Sequence, residues 1–359
     1  MGNSVGEKME QSLKKKEANP GSSARVLEKL DIGNRPDRVG KYFRKYTKNF
    51  VFDEFSDAFL RKGHIDFMKG VPIPFRKEDL EAFKGEEGLK MQHIMENIAW
   101  MMGIDPKFEH GESYLRFMRG FGDKRTSMAL VREARDEAEK KDYETAAIHL
   151  RAALCVSPAN LRAMYSYARV CRELYLSGSD EEYIGRFKAE SMEYFELITE
   201  VYPKFAQAHY FLGYAYLNMG LYTKAKLVWE QFLKRSANEK DIEEIKVRLQ
   251  QLADPVRIEE GCNAVLSGRY ELGIDILEPF IDTKFKDWWP MSYYLGIAYE
   301  RTGKNPDAVE SFKRVLGINP SHVESMEELA KIYAEIDDKE NENKYREKAE
   351  LIRSGGHKN

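Results

Sequence analysis

Residues 289–320 constrain the fold more than any other stretch of this 359-residue chain. Counted from residue 289, small residues occupy positions 8 and 20, which are Gly296 and Ala308. Large apolar residues occupy positions beside them: Leu295, Tyr299 and Phe312. Gly303 can take the left-handed conformation that ends a helix, and Pro320 prevents a second helix from continuing. The spacing predicts two antiparallel helices that cross closely at the two small residues.

This pattern resembles the tetratricopeptide repeat (TPR), a unit of about 34 residues that folds as a helical hairpin. One hairpin cannot bury its own apolar face, so the resemblance predicts neighbouring units. Six candidate units start at Ser127, Leu161, Ala206, Asp254, Trp289 and Val323. The second unit carries about 11 extra residues, and an amphipathic helix over residues 239–252 follows the third. The resemblance, which covers residues 127–352, therefore implies an all-α, TPR-like helical-hairpin solenoid that is interrupted in the middle.

Composition divides the chain into four predicted segments. Residues 1–40 are polar and hold too little apolar surface to offset the entropy of ordering, so we expect a disordered tail. Residues 41–122 are rich in aromatic side chains and predict a small helical domain packed on the first repeat, with helices over 77–83, 91–102 and 113–118 and an extended connector over 71–74. Residues 127–353 form the predicted solenoid, whose polar last helix would cap the array. Residues 354–359 are a second expected disordered tail.

The charge balance excludes a broad electrostatic field. The net charge is −3, from 57 basic and 60 acidic residues, which favours neither nucleic acid nor an anionic membrane as a partner. The sequence has no apolar segment typical of a signal peptide or a membrane span. Its three cysteines form no CxxC pair, which is typical of a reducing compartment. We expect a cytoplasmic protein.

The resemblance also implies a binding face, because the first helices of such repeats line a concave surface with defined positions. Tyrosines, arginines and one asparagine occupy several of these positions: Arg162, Tyr165, Arg169, Arg172, Tyr210, Tyr214, Asn218, Tyr293 and Arg301. Tyrosines would supply rigid contact area for a peptide, and arginines would pair with its carboxylates. The alternative interpretation is that the tyrosines pack on neighbouring helices and the arginines are solvated.

The chain carries no metalloprotease, nucleophile-elbow or phosphate-loop motif. We therefore predict a non-enzymatic adaptor that binds a protein or peptide partner, with no catalytic residues, metal or cofactor. Two alternatives stay open. One is a peptide-responsive sensor, and the other is an activity in residues 41–122, metal-dependent through His93 and Glu96, for which the array positions a substrate. Arginines interleaved with Tyr165 are also typical of single-strand nucleic-acid binders, but the overall acidity and Glu173 argue against that partner.

Overall fold

The structure, a computed structural model, describes residues 28–77 and 91–355. Contacts divide it into two compact units. The first unit holds the described residues up to Met219 together with Val228–Ser236. The second unit holds Gly220–Leu227 and the described residues from Ala237 onward. No helix in these ranges is both long enough and apolar enough to cross a bilayer.

The first unit begins with short elements that precede the helical hairpins. In chain order they are a 3-10 turn (Ile32–Asn34), α1 (Gly40–Phe43), a 3-10 helix (Arg44–Asn49), β1 (Phe50–Asp53), α2 (Asp57–Gly63), a 3-10 turn (Asp66–Met68), β2 (Ile73–Arg76), α3 (Met91–Ile104) and α4 (Gly111–Arg119). Strands β1 and β2 pair antiparallel, with Phe50 opposite Arg76. Helix α3 packs closely on the first hairpin, because Gly103 lies against the backbone of Ile148 with no room for a side chain.

Long helices follow in antiparallel pairs. They are α5 (Asp123–Glu139), α6 (Tyr143–Val156), α7 (Leu161–Ser177), α8 (Glu181–Val201), α9 (Ala206–Leu217) and α10 (Tyr222–Leu233). Short polar side chains fix where several of them begin. The side chains of Asp142, Asn160 and Asp180 accept hydrogen bonds from backbone N–H groups in the first turns of α6, α7 and α8, which satisfies donors that a helix start would otherwise leave unpaired.

The second unit contains α11 (Glu239–Gln251), α12 (Ala253–Leu266), α13 (Tyr270–Leu277) with a 3-10 turn (Glu278–Phe280), α14 (Trp289–Arg301), α15 (Asn305–Ile318), α16 (Val323–Glu335) and α17 (Lys339–Arg353). The predicted crossing is confirmed in α14 and α15. A side chain at Gly296 would meet the ring of Phe312 at 2.7 Å, and Phe312 is fully buried. Gly303 has a φ of 76°, as the helix end requires. The prediction of TPR-like helical hairpins with an additional helix after the third is confirmed.

Two predictions for the N-terminal part are wrong. Residues 28–40 are not disordered, because Leu30, Ile32 and Val39 are buried in the first unit. The segment 41–122 is not purely helical, because aromatic and β-branched residues pair as β1 and β2. Pro74 is tolerated in β2 because neither strand of a two-stranded sheet is a central one. Residues 1–27, nearly all of the predicted helix 77–83 and residues 356–359 lie outside the described residues.

Candidate functional site

The four predicted residues of α7 lie along one side of that helix. Arg162 and Arg169 are exposed, whereas Tyr165 and Arg172 are half-buried. The opposite side of α7 faces the core with small and apolar residues: Ala163, Met164, Tyr167, Ala168, Val170 and Cys171. This division follows from the 3.6-residue helical period. It leaves the three arginines and Tyr165 on the side that faces away from the core.

Helix α9 presents Tyr210 and Tyr214, and a close crossing fixes their positions. A side chain at Gly213 would lie 2.1 Å from Nε1 of Trp229, so only glycine lets the indole lie against α9. Trp229 is fully buried, and its indole N–H donates to the carbonyl of Tyr210 at 3.1 Å. The ring of Tyr214 packs edge-on against the same indole at 5.0 Å. Both tyrosines are half-buried.

Phe211 joins the tyrosines of α7 and α9. Its ring centroid lies 6.0 Å from that of Tyr165 and 5.1 Å from that of Tyr210. Phe195 of α8 stacks on Phe211 at 5.5 Å, and Phe205 meets Tyr165 edge-on at 5.1 Å. We call the following seven rings the ring cluster: Tyr165, Phe195, Phe205, Tyr210, Phe211, Tyr214 and Trp229. Phe211 was not among the residues predicted from the sequence, although its position directly after Tyr210 was a visible signal.

Two arginines of α7 lie over the ring cluster. The guanidinium carbon of Arg169 lies 5.3 Å from the ring centroid of Phe211 and 5.9 Å from that of Tyr165. Arg172 lies 5.9 Å from the Phe211 centroid and pairs with Glu173 at 2.9 Å. Each such cation–π contact at an exposed site is worth about 0.5–1 kcal/mol. The structure therefore brings together Tyr165, Arg169, Arg172, Tyr210 and Tyr214 around a residue that was not predicted.

Asn218 stands at the end of α9. Its backbone carbonyl accepts a hydrogen bond from Nζ of Lys188 at 2.7 Å, and its side chain hydrogen-bonds the Tyr175 hydroxyl. Its backbone N–H also donates to the carbonyl of Tyr214 at 3.0 Å, so these contacts hold the end of α9.

The second unit carries the other two predicted residues, both on α14. Tyr293 packs against Phe312 at 5.9 Å and against the imidazole of His322 at 4.9 Å. It lines an open cavity of about 530 Å³ together with Trp289 and His322. Arg301 is exposed and lies more than two turns further along α14. The structure does not place Arg301 in this cavity.

The residues proposed for a metal-dependent activity form no ligand set. His93 and Glu96 lie on α3, where Glu96 accepts a hydrogen bond from Gln92 at 2.8 Å. In the described ranges, no three His, Cys, Asp or Glu side chains cluster closely enough to hold a metal ion. Burial raises the pKa of the Cys155 and Cys262 thiols to about 12, so both stay protonated at neutral pH.

The sequence matches the family described as tetratricopeptide repeat over residues 206–239 and 260–342. No curated protein matches it. Among solved structures it is similar to the TPR domain of P58(IPK), with 17% identity, coverage of 65% of this chain and 61% of that chain, and a TM-score of 0.37. MamA from Desulfovibrio magneticus RS-1 shows 17% identity, coverage of 53% and 97%, and a TM-score of 0.28. YrrB, a TPR protein with an unusual peptide-binding site, shows 15% identity, coverage of 57% and 92%, and a TM-score of 0.27.

Proposed function

Because this chain is a tetratricopeptide repeat protein, we propose that it is a non-enzymatic adaptor that binds a segment of a partner protein. The half-buried rings of the ring cluster on α7 and α9 are the proposed contact surface, namely those of Tyr165, Tyr210, Phe211 and Tyr214. Repeat hairpins of this family generally serve as protein-interaction scaffolds, and residues on their first helices are accessible to a partner.

One observation carries this proposal, namely the incomplete burial of the rings. Tyr167 and Tyr194 belong to the same hairpin as Tyr165, and they are almost fully buried, at 0% and 1% exposure. Tyr165, Tyr210, Phe211 and Tyr214, by contrast, remain half-buried, although they contact one another. A tyrosine that packs on one side and is accessible on the other offers a rigid surface at low entropic cost. Four such rings on adjoining helices favour recognition over simple packing.

Affinity capture from the native host tests the proposal. The bait is the full chain, compared with a Tyr165→Ala/Tyr210→Ala variant. The matched control is Tyr222→Ala, which removes another half-buried tyrosine, one that packs on Trp288 in the second unit. Circular dichroism and thermal unfolding establish that each bait is folded.

We expect a reproducible set of bound proteins that the double variant loses and the control variant retains. The loss should be at least tenfold, because each ring that anchors an interface contributes about 1–2 kcal/mol or more. If a folded double variant captures the same proteins as the wild type, the ring cluster is not the contact surface and the proposal is wrong.

A further inference from the structure

We propose that the segment bound at the ring cluster is acidic, and that Arg169 and Arg162 bind two of its carboxylates. This inference rests on the proposed function and adds the chemistry of the partner. It comes from the different environments of the three arginines on α7.

Arg169 lies beside two rings of the ring cluster. Its guanidinium carbon is 5.3 Å from the ring centroid of Phe211 and 5.9 Å from that of Tyr165. Among the described residues its N–H groups make no hydrogen bond, so they can bind a carboxylate. Arg169 is exposed and has no carboxylate partner among the described residues. A guanidinium that already packs beside two rings has lost part of its rotational freedom, so a bidentate contact with a carboxylate costs less entropy.

Arg162 is a second exposed cation on the same side of α7. It precedes Arg169 by seven residues, which corresponds to about 10 Å along the helix axis. It also lacks a carboxylate partner in the part of the chain that the structure describes. Arg172 differs, because Glu173 neutralises it at 2.9 Å. The side chains on α7 therefore offer two uncompensated positive charges, with the half-buried ring of Tyr165 between them.

This spacing restricts the ligand. In polyproline II conformation, residues i and i+3 lie on one side of the chain, about 9 Å apart. Two acidic residues at positions i and i+3 would therefore reach Arg162 and Arg169 together. The backbone between them would pass over the ring of Tyr165, because the two intervening side chains point about 120° to either side. We expect an extended segment of this kind, because an isolated acidic residue could engage only one arginine.

Single-stranded nucleic acid fits the same face less well. Such ligands need a row of cations that follows the phosphate backbone as well as rings for stacking. The neighbouring helix α9 continues the face with uncharged groups, since Gln207, Tyr210, Tyr214 and Asn218 occupy its corresponding positions. Two positive charges match two carboxylates better than a continuous polyanion.

Fluorescence anisotropy with the full chain tests the inference through three labelled probes. The first is a proline-rich peptide of twelve residues with glutamates at positions i and i+3 around a leucine. The second has glutamine in place of both glutamates. The third is a twelve-nucleotide oligothymidine. Protein variants are Arg169→Gln, Arg169→Lys and a matched control, Arg269→Gln, which removes an exposed arginine of the second unit.

We expect the acidic peptide to bind at least tenfold more tightly than its glutamine counterpart and than the oligothymidine. Arg169→Gln should weaken binding of the acidic peptide about tenfold, as loss of a charge-assisted hydrogen bond does. Arg169→Lys should restore only part of that loss, since an ammonium has no planar fork. Arg269→Gln should leave binding unchanged.

The outcomes that overturn the inference are separate from those that overturn the adaptor function. Equal binding of the acidic and glutamine peptides, or no binding of either, contradicts the acidic specificity. Tighter binding of the oligothymidine assigns the face to nucleic acid. If captured proteins still depend on Tyr165 and Tyr210 in either case, the adaptor function stands and only the proposed chemistry of the partner is wrong.

Discussion

The guanidinium of Arg151 binds the carboxylate of Asp37 through two contacts, with Nη2–Oδ2 and Nη1–Oδ1 distances of 2.7 and 3.0 Å. The Arg151 side chain is only 1% exposed, and its Nε donates to the carbonyl of Gly103 at 2.7 Å. This residue of α6 thus holds both the segment before α1 and the end of α3. Burial by itself would raise the pKa of Asp37, but the hydrogen bonds and charge of Arg151 hold that pKa below its usual range.

We predict that Arg151→Met lowers the free energy of unfolding by about 3–5 kcal/mol, because it leaves the Asp37 carboxylate buried without its counter-charge. Asp37→Leu should lower the free energy of unfolding by a similar amount, because it leaves the Arg151 guanidinium buried without its counter-charge. The double variant should be less destabilised than the sum of the two, since no unpaired charge remains. Urea unfolding of the four proteins measures this coupling.

A matched control is the exposed pair of Lys41 with Glu182, whose side-chain nitrogen and oxygen lie 2.6 Å apart. Both side chains are about half exposed to solvent, so Lys41→Ala should change the free energy of unfolding much less than Arg151→Met does. Equal effects of Lys41→Ala and Arg151→Met would show that burial does not set the strength of these pairs.

The ion pairs of the N-terminal segment show why its amino-acid composition wrongly predicted disorder. Residues 28–45 are rich in charge, and this pattern indicates disorder when it is considered alone. Several of these charges face acidic residues that lie far along the chain, and no local pattern reveals such pairing. The pairs are Lys29–Glu200, Arg35–Glu193, Arg38–Glu190, Lys41–Glu182 and Lys45–Glu144.

The repeat hairpins could be predicted because a helix crossing imposes its residues at fixed spacing. Gly296 opposite Phe312 and Gly213 opposite Trp229 are two examples of the same requirement.

The candidate site could be predicted only in part. Family positions identified Tyr165, Tyr210 and Tyr214, but the ring that joins them, Phe211, depends on how α7, α8 and α9 pack.

The crossing of α9 and α10 gives a second prediction. Gly213→Ala should lower the free energy of unfolding by about 3 kcal/mol, because the new methyl group would overlap the buried indole of Trp229. Displacement of that indole also moves Tyr210 and Tyr214, so capture of partner proteins should weaken. Chemical denaturation followed by tryptophan fluorescence measures the loss of stability.

The control for this substitution is Gly185→Ala in α8, where an added methyl group meets nothing within 4 Å. Alanine favours the helix over glycine, so this variant should be more stable than the wild type by about 0.5–1 kcal/mol. If both glycine variants change stability equally, the indole contact is not what requires glycine at position 213.

The imidazole of His149 gives the last prediction, which concerns acid stability. Burial is the main cause that lowers its pKa to about 4, and the positive charge of Arg76 adds to this effect. Its Nδ1 lies 3.3 Å from a carboxylate oxygen of Glu133, and the indole of Trp100 packs edge-on against the ring. The folded pKa lies below the ordinary value of 6.5. The stability that the neutral His149 contributes is therefore fully present above about pH 6.5 and is lost as the pH falls toward 4.

The difference between these pKa values corresponds to about 3 kcal/mol of unfolding free energy between pH 7 and pH 4. Urea unfolding at a series of pH values should show this loss in the wild type and a much shallower slope in His149→Gln. In His149→Gln, the free energy of unfolding should still fall slightly with decreasing pH, because burial also lowers the pKa of His209. If His149→Gln keeps the full slope, protonation of another group causes the acid sensitivity, since glutamine cannot take up a proton in this range.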